Sequence, residues 1–183
     1  MLDLARDHFQ LFGLPVRFDL DRELLTQRYR ELQRVAHPDR HAGASQREQL
    51  LAVQGASQIN DAFRTLKEPL ARAIYLLELR GLPLDGGSQA PLDPLFLMEQ
   101  MEQREQLAAA RLGPEPDAQA RAVLAATLGR EQALIAELAQ RLDGDDGPAL
   151  SGARDLVRQL QFLAKLRQQA EDLVADLEEA RHA

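Results

Sequence analysis

The chain has 183 residues, a formal net charge of −7 and no cysteine, which excludes disulfides and thiolate metal ligands and fits a reducing compartment. It has no apolar run of the ~18 residues needed to span a bilayer, and its opening Met1-Leu2-Asp3-Leu4-Ala5-Arg6-Asp7 lacks a signal-peptide pattern, so a cytoplasmic location is expected. Residues 1–81 carry 12 Lys/Arg against 11 Asp/Glu, whereas residues 82–183 carry 10 against 18, so the second half has no cationic stripe for nucleic acid.

In chain order, Asp7 to Pro15 reads as a short helical turn with Phe9, Leu11 and Phe12 as apolar plugs. Leu25, Tyr29, Leu32 and Ala36 then fall at i, i+4, i+7 and i+11, one side of a helix, with Arg30 and Arg34 on the opposite side one turn apart. Pro38 lacks an N–H and drives His37 out of the α region, so this helix ends at His37-Pro38-Asp39, which places an imidazole and a carboxylate on a rigid turn. Residues 40–46 contain Gly43 and Ser45 and read as a loop. From Arg47 to Lys67, Leu50, Leu51, Ile59, Ala62, Phe63 and Leu66 predict a second amphipathic helix, antiparallel to the first across the short loop. A given tripeptide arises by chance in a chain of this length on the order of once in a hundred sequences, so His-Pro-Asp draws its weight from these two flanking helices.

The order of short helix, helix, His-Pro-Asp loop and helix, with Gln58-Ile59-Asn60-Asp61-Ala62-Phe63-Arg64-Thr65-Leu66, resembles a J-domain over about residues 7 to 81. The resemblance implies docking on an ATPase chaperone of the HscA/DnaK class and stimulation of its ATP hydrolysis. Carried over by position, His37, Pro38 and Asp39 match the signature, Tyr29 the aromatic of the second helix and Arg30 a basic contact, with Arg34 adding charge to that face. Ala36 departs from the aromatic that most J-domains place just before the signature.

Gly81 to Pro91 is rich in turn formers and lacks helical period. Helical stretches follow at about 94–112, 116–143 and 149–182, broken at Gly113-Pro114 and at Gly144 to Pro148. Leu124, Leu128, Ile135, Leu138 and Leu142 form a 3-4 stripe in the middle stretch. Leu156, Leu160, Leu163, Ala170, Val174 and Leu177 form one in the last. The expectation is an all-α chain: a J-domain over 1–81, a linker over 82–93, and an antiparallel three-helix bundle over 94–183.

In the 94–112 helix, Phe96, Leu107 and Ala110 cluster on one side. Leu97, Met101, Ala108 and Leu112 cluster roughly opposite, flanked by Met98, Glu102 and Glu105. On pattern alone the helix is either buried on both sides or exposes an apolar patch rimmed by carboxylates, the form of a protein-binding surface. The string Phe96-Leu97-Met98-Glu99-Gln100-Met101-Glu102-Gln103-Arg104-Glu105 is similar to the HscB family. So are Arg158 to Leu166, Leu70 to Leu77 and Phe9 to Pro15. That family comprises J-type co-chaperones of iron–sulfur cluster assembly, which bring the scaffold IscU to the chaperone HscA. The resemblance implies that Leu97, Met98, Met101, Glu102, Glu105 and Phe162 form a scaffold-binding patch. At Ala109 related sequences can place an acid.

Catalysis of the chain's own is not expected. Pro38 splays His37 from Asp39, and neither a nucleophile nor a Gly-rich phosphate loop accompanies them. The histidines at 8, 37, 41 and 182 form no helical ligand pair, so neither metal nor cofactor is expected. Two classes stay open: a two-sided adaptor of a chaperone ATPase, and a helical interaction module with an incidental His-Pro-Asp. The oligomeric state is not legible, with a monomer favoured.

Overall fold

The computed structural model describes residues 6–36, 45–84, 91–144 and 147–182, and the described residues form α-helices without strands. None of these helices is long and apolar enough to cross a membrane. The chain divides into two compact units, residues 1–81 and 82–183.

In the first unit, α1 spans His8–Phe12. The Asp7 carboxylate caps it by accepting from the Gln10 N–H at 2.8 Å, and Gly13 closes it at φ 63° in the left-handed region, where a Cβ would be strained. The next helix, α2 (Arg22–Ala36), begins after Asp21, which accepts from the Glu23 and Leu24 N–H groups. The third, α3, covers Gln46–Lys67, so the expected loop ends one residue earlier than the sequence suggested. Ser45 and Glu48 form a reciprocal capping box that draws Gln46 into the first turn.

A fourth helix, α4 (Pro69–Leu79), follows with only Glu68 in extended conformation between it and α3. No separate helix is expected here from the sequence, although Pro at a first helical position is a start signal. Its buried Arg72 fixes the turn: the guanidinium lies 4.8 Å from the Phe18 ring centroid and donates to the Leu66 carbonyl at 2.7 Å. In the same unit the His8 ring stacks on Tyr75 at 4.2 Å, and the His8 backbone N–H donates to the Tyr75 hydroxyl at 3.0 Å. Burial holds the His8 imidazole below its usual pKa, against the nearby charges of Asp7, Asp61 and Glu78.

In the second unit, α5 (Pro94–Ala110), α6 (Pro116–Asp143) and α7 (Gly147–His182) pack on one another. Ion pairs from Arg121 to Glu178 and from Arg167 to Glu131, the latter at 3.2 Å, show that α6 and α7 run antiparallel. The Phe96–Phe162 ring contact and the Arg111–Asp176 pair place α5 parallel to α7. Toward one end, Leu107, Ala110, Ala120, Val123, Leu166, Ala170, Leu173 and Val174 form a core cluster.

The buried stripe of α6 differs from the expected one. It runs Ala120, Val123, Thr127, Leu134, Leu138 and Leu142, whereas Leu124 and Ile135 are half-buried and Leu128 is exposed. Size misled the pattern. Ala120 and Thr127 are inside because small residues let helices approach closely, and Thr127 satisfies its hydroxyl on the Val123 carbonyl at 2.8 Å. Between Thr127 and Leu134 the stripe passes through Glu131, which the Arg167 ion pair holds there.

Candidate functional site

Two surfaces carry the residues singled out by sequence, one in each unit. In the first, the described part of α2 ends at Ala36; His37, Pro38 and Asp39 lie outside the described residues. Ala36 is buried, so the position that departs from the usual aromatic is filled by a methyl group. Arg30 and Arg34 are exposed on successive turns and line one shallow groove with Arg22, Thr26, Gln27 and Glu31. The Arg34 Nε lies 3.4 Å from the Arg30 carbonyl, back along its own helix. The Glu31 carboxyl is held below the usual carboxylate range by the hydrogen bond from Gln27, aided by Arg28, so it stays ionised beside the arginines.

Tyr29 is set apart from these two. Its ring stacks on Phe63 of α3 at 4.0 Å between centroids, and its hydroxyl donates to Asn60 Oδ1 at 2.9 Å. The side chain is half-buried between α2 and α3 and serves their packing. Gln33, which the sequence reading did not single out, joins the same hydrogen bonds.

In the second unit the site is built on α5. Asp93 starts this helix by accepting from the Leu95 N–H at 3.0 Å, and Pro94 occupies its first position. Phe96, Leu107 and Ala110 are buried, as the spacing predicts. The opposite stripe is open to solvent: Leu97 is 37% exposed, Met101 62% and Met98 66%. Glu102 and Glu105 are exposed on the same stretch. Phe162 of α7 is half-buried, with its ring edge-on to Phe96 at 6.4 Å. The structure thus joins Phe162 to the buried side of α5 through Phe96, while Met98 and Met101 stand mostly in solvent and Leu97 is partly covered.

Leu95 lies outside the stripe that the sequence pattern marks. It is 69% exposed and lies one turn before Met98, so the wet apolar stripe begins there. Its signal was the i, i+3 spacing to Met98 and Met101. At the far end Leu112 falls in the turn after α5 and is 92% exposed. Inside the bundle, by contrast, Gln100 is buried with its Oε1 accepting no hydrogen bond, and Gln103 Oε1 is likewise buried and unpartnered. An unmet buried acceptor costs about 1–3 kcal/mol. Polarity on α5 is therefore partly inverted, with amides inside and thioethers outside.

The family model described as the HSCB C-terminal oligomerisation domain matches residues 92–171, which include all of α5. A co-chaperone protein HscB homolog of Vibrio vulnificus (strain YJ016) is 46% identical over 165 residues, spanning 90% of this chain and 95% of its own. The chain belongs to the HscB family. Its fold agrees: the solved chaperone HscB from Vibrio cholerae superposes with a TM-score of 0.82 at 41% identity, covering 94% of this chain and 99% of that one. The crystal structure of human co-chaperone protein HscB gives a TM-score of 0.82 at 27% identity, over 92% of this chain and 82% of that one. The Vibrio vulnificus and human relatives are named as co-chaperones, and a co-chaperone is what this HscB-family chain is.

Proposed function

We propose that this HscB-family chain stimulates the ATPase of an HscA-type chaperone through its first unit and delivers the iron–sulfur scaffold IscU through its second, in cytoplasmic iron–sulfur cluster assembly. The observation that carries the reading is the wet apolar stripe of α5. Leaving Leu95, Leu97, Met98 and Met101 in water forgoes burial worth ~25 cal/mol per Å², and a partner that covers them recovers it. Met98 and Met101 suit an adaptable contact because the thioether is flexible and polarizable. Glu102 and Glu105 at the rim set orientation and partner choice more than affinity.

The chaperone side rests on sequence and on α2. His37-Pro38-Asp39 follows directly after Ala36 in the sequence, and Arg30 and Arg34 are exposed on successive turns of α2. Their charge steers encounter with an acidic surface. The test is single-turnover ATP hydrolysis by HscA with the protein present or absent, and with IscU added. Stimulation that His37→Gln abolishes in a folded chain, and that IscU enhances only in the His37 protein, is expected. Equal rates with and without the protein would refute the assignment and leave a helical interaction module.

A further inference from the structure

The middle of α2 has no fully buried side chain. Of its 15 residues only Leu25 and Ala36 are fully buried, and three turns separate them. Beside half-buried Leu32 and the Tyr29–Phe63 stack, a solvent-facing polar clasp to α3 holds the helix there. Tyr29 Oη donates to Asn60 Oδ1 at 2.9 Å, Gln33 Nε2 donates to the same Oδ1, and Gln33 Nε2 lies 3.2 Å from Tyr29 Oη. One acceptor on α3 thus receives donors from two successive turns of α2, and the Tyr29–Phe63 stack backs it.

The clasp residues are the immediate neighbours of the two exposed arginines: Tyr29 precedes Arg30, and Gln33 precedes Arg34. Adjacent helical residues stand about 100° apart around the axis. A helix gripped at positions 29 and 33 therefore has the direction of positions 30 and 34 settled with it. A hydrophobic contact is non-directional and would tolerate rotation of α2 about its axis, whereas two hydrogen bonds to one oxygen lose their geometry when the helix turns.

We infer that Asn60 is a positioning residue for chaperone stimulation: its Oδ1, by clasping Tyr29 and Gln33, sets the rotation of α2 that aims Arg30 and Arg34 at the ATPase partner. This deepens the proposed function and rests on it. Asn60 acts through the arginines, so its loss weakens docking and leaves the turnover rate at saturation alone.

The experiment measures HscA ATPase against protein concentration, well below the melting temperature, for the full chain and its Asn60→Ala and Gln33→Ala variants. Each variant is expected to raise the half-maximal concentration by about fivefold, the scale of one or two net hydrogen bonds, with maximal stimulation unchanged. Asn60→Asp, which keeps an acceptor at the same place, is expected to lie nearer the parent than Asn60→Ala. In an Arg30→Ala/Arg34→Ala background, Asn60→Ala is expected to add nothing further. An unchanged half-maximal concentration in folded Asn60→Ala or Gln33→Ala would overturn the inference. So would an undiminished effect of Asn60→Ala in the arginine-free background, which would make Asn60 a contact in its own right. If the parent chain gives no stimulation at all, the functional assignment itself fails, a result separable from both.

Discussion

The two helices that carry the candidate surfaces, α2 and α5, are built on opposite plans. On α2 the polarity is the ordinary one: Leu25 and Ala36 inside, arginines outside, with a polar clasp in place of a wide apolar seam. On α5 the core face includes buried Gln100, while Leu95, Leu97, Met98 and Met101 face water. A charged face can wait in solvent at no cost and suits a contact that is made and broken. An apolar face in water stays under-stabilised until something covers it. Where local chemistry and global packing disagree, as on α5, function is the usual reason.

The largest effect that sharpens this contrast lies in the bundle that supports α5. Leu138→Ala removes a fully buried side chain and should lower the unfolding free energy of the bundle by about 2–5 kcal/mol. Leu128→Ala, at a position 38% exposed on the same helix, should cost less, about 1–2 kcal/mol. Denaturant melts of the two variants measure this directly. Similar losses for both would restore the stripe that leucine spacing alone suggests.

Leucine spacing was a good guide to which helices exist and a poorer one to how they are rotated. The ends of α5, α6 and α7 fall near their Pro and Gly breaks because those residues act locally. Rotation is decided across the bundle. Val123, Thr127 and Leu134 face inward on α6 because they pack closely across the bundle, and Glu131 on the same stripe is accommodated by Arg167, a partner 36 residues away that no window on α6 contains. The same holds at the surfaces. Arg30, Arg34 and the two-sided pattern of α5 were legible, since each is a property of one helix. The inward stacking of Tyr29 on Phe63, the clasp at Asn60 and the edge contact of Phe162 with Phe96 each need two helices. The α4 helix is hard to separate in the sequence because only Glu68 stands between it and α3.

On α2, Arg30→Ala/Arg34→Ala should raise the half-maximal concentration for chaperone stimulation about tenfold at low salt. The difference from the parent should shrink as ionic strength rises, because exposed charges are screened over a Debye length of ~8 Å at physiological salt. A defect that persists undiminished at high salt would point to a packing role for the two side chains. On α5, Gln100→Met should stabilise the bundle by about 1 kcal/mol, since it replaces an unmet buried acceptor with an apolar chain of similar volume. A drop in melting temperature would show that the amide is satisfied in solution.

The smallest expected effect is the pH response of the first unit. The His8 imidazole is held below its ordinary value by burial against Tyr75, so the unfolded chain binds the proton more readily. Its contribution to stability is therefore complete above the unfolded value of 6.5 and declines as pH falls below it. Melting temperatures between pH 5 and 8 should rise with pH more steeply for the parent than for His8→Phe, which keeps an aromatic ring on Tyr75 but cannot titrate. Parallel curves would remove His8 as the cause.

The claim that α5 turns an apolar stripe outward to dock the scaffold is tested most directly by calorimetric titration of IscU into the parent chain and into Leu97→Ala/Met101→Ala. Met101 is mostly in solvent and Leu97 is 37% exposed, so the double variant should stay folded with a loss of about 1–2 kcal/mol. Central apolar anchors can contribute ~2 kcal/mol or more each, so its affinity for IscU should fall by about a hundredfold or more, while basal stimulation of HscA through the first unit persists. Unchanged affinity in the folded double variant would contradict the account and place the scaffold site elsewhere on the chain.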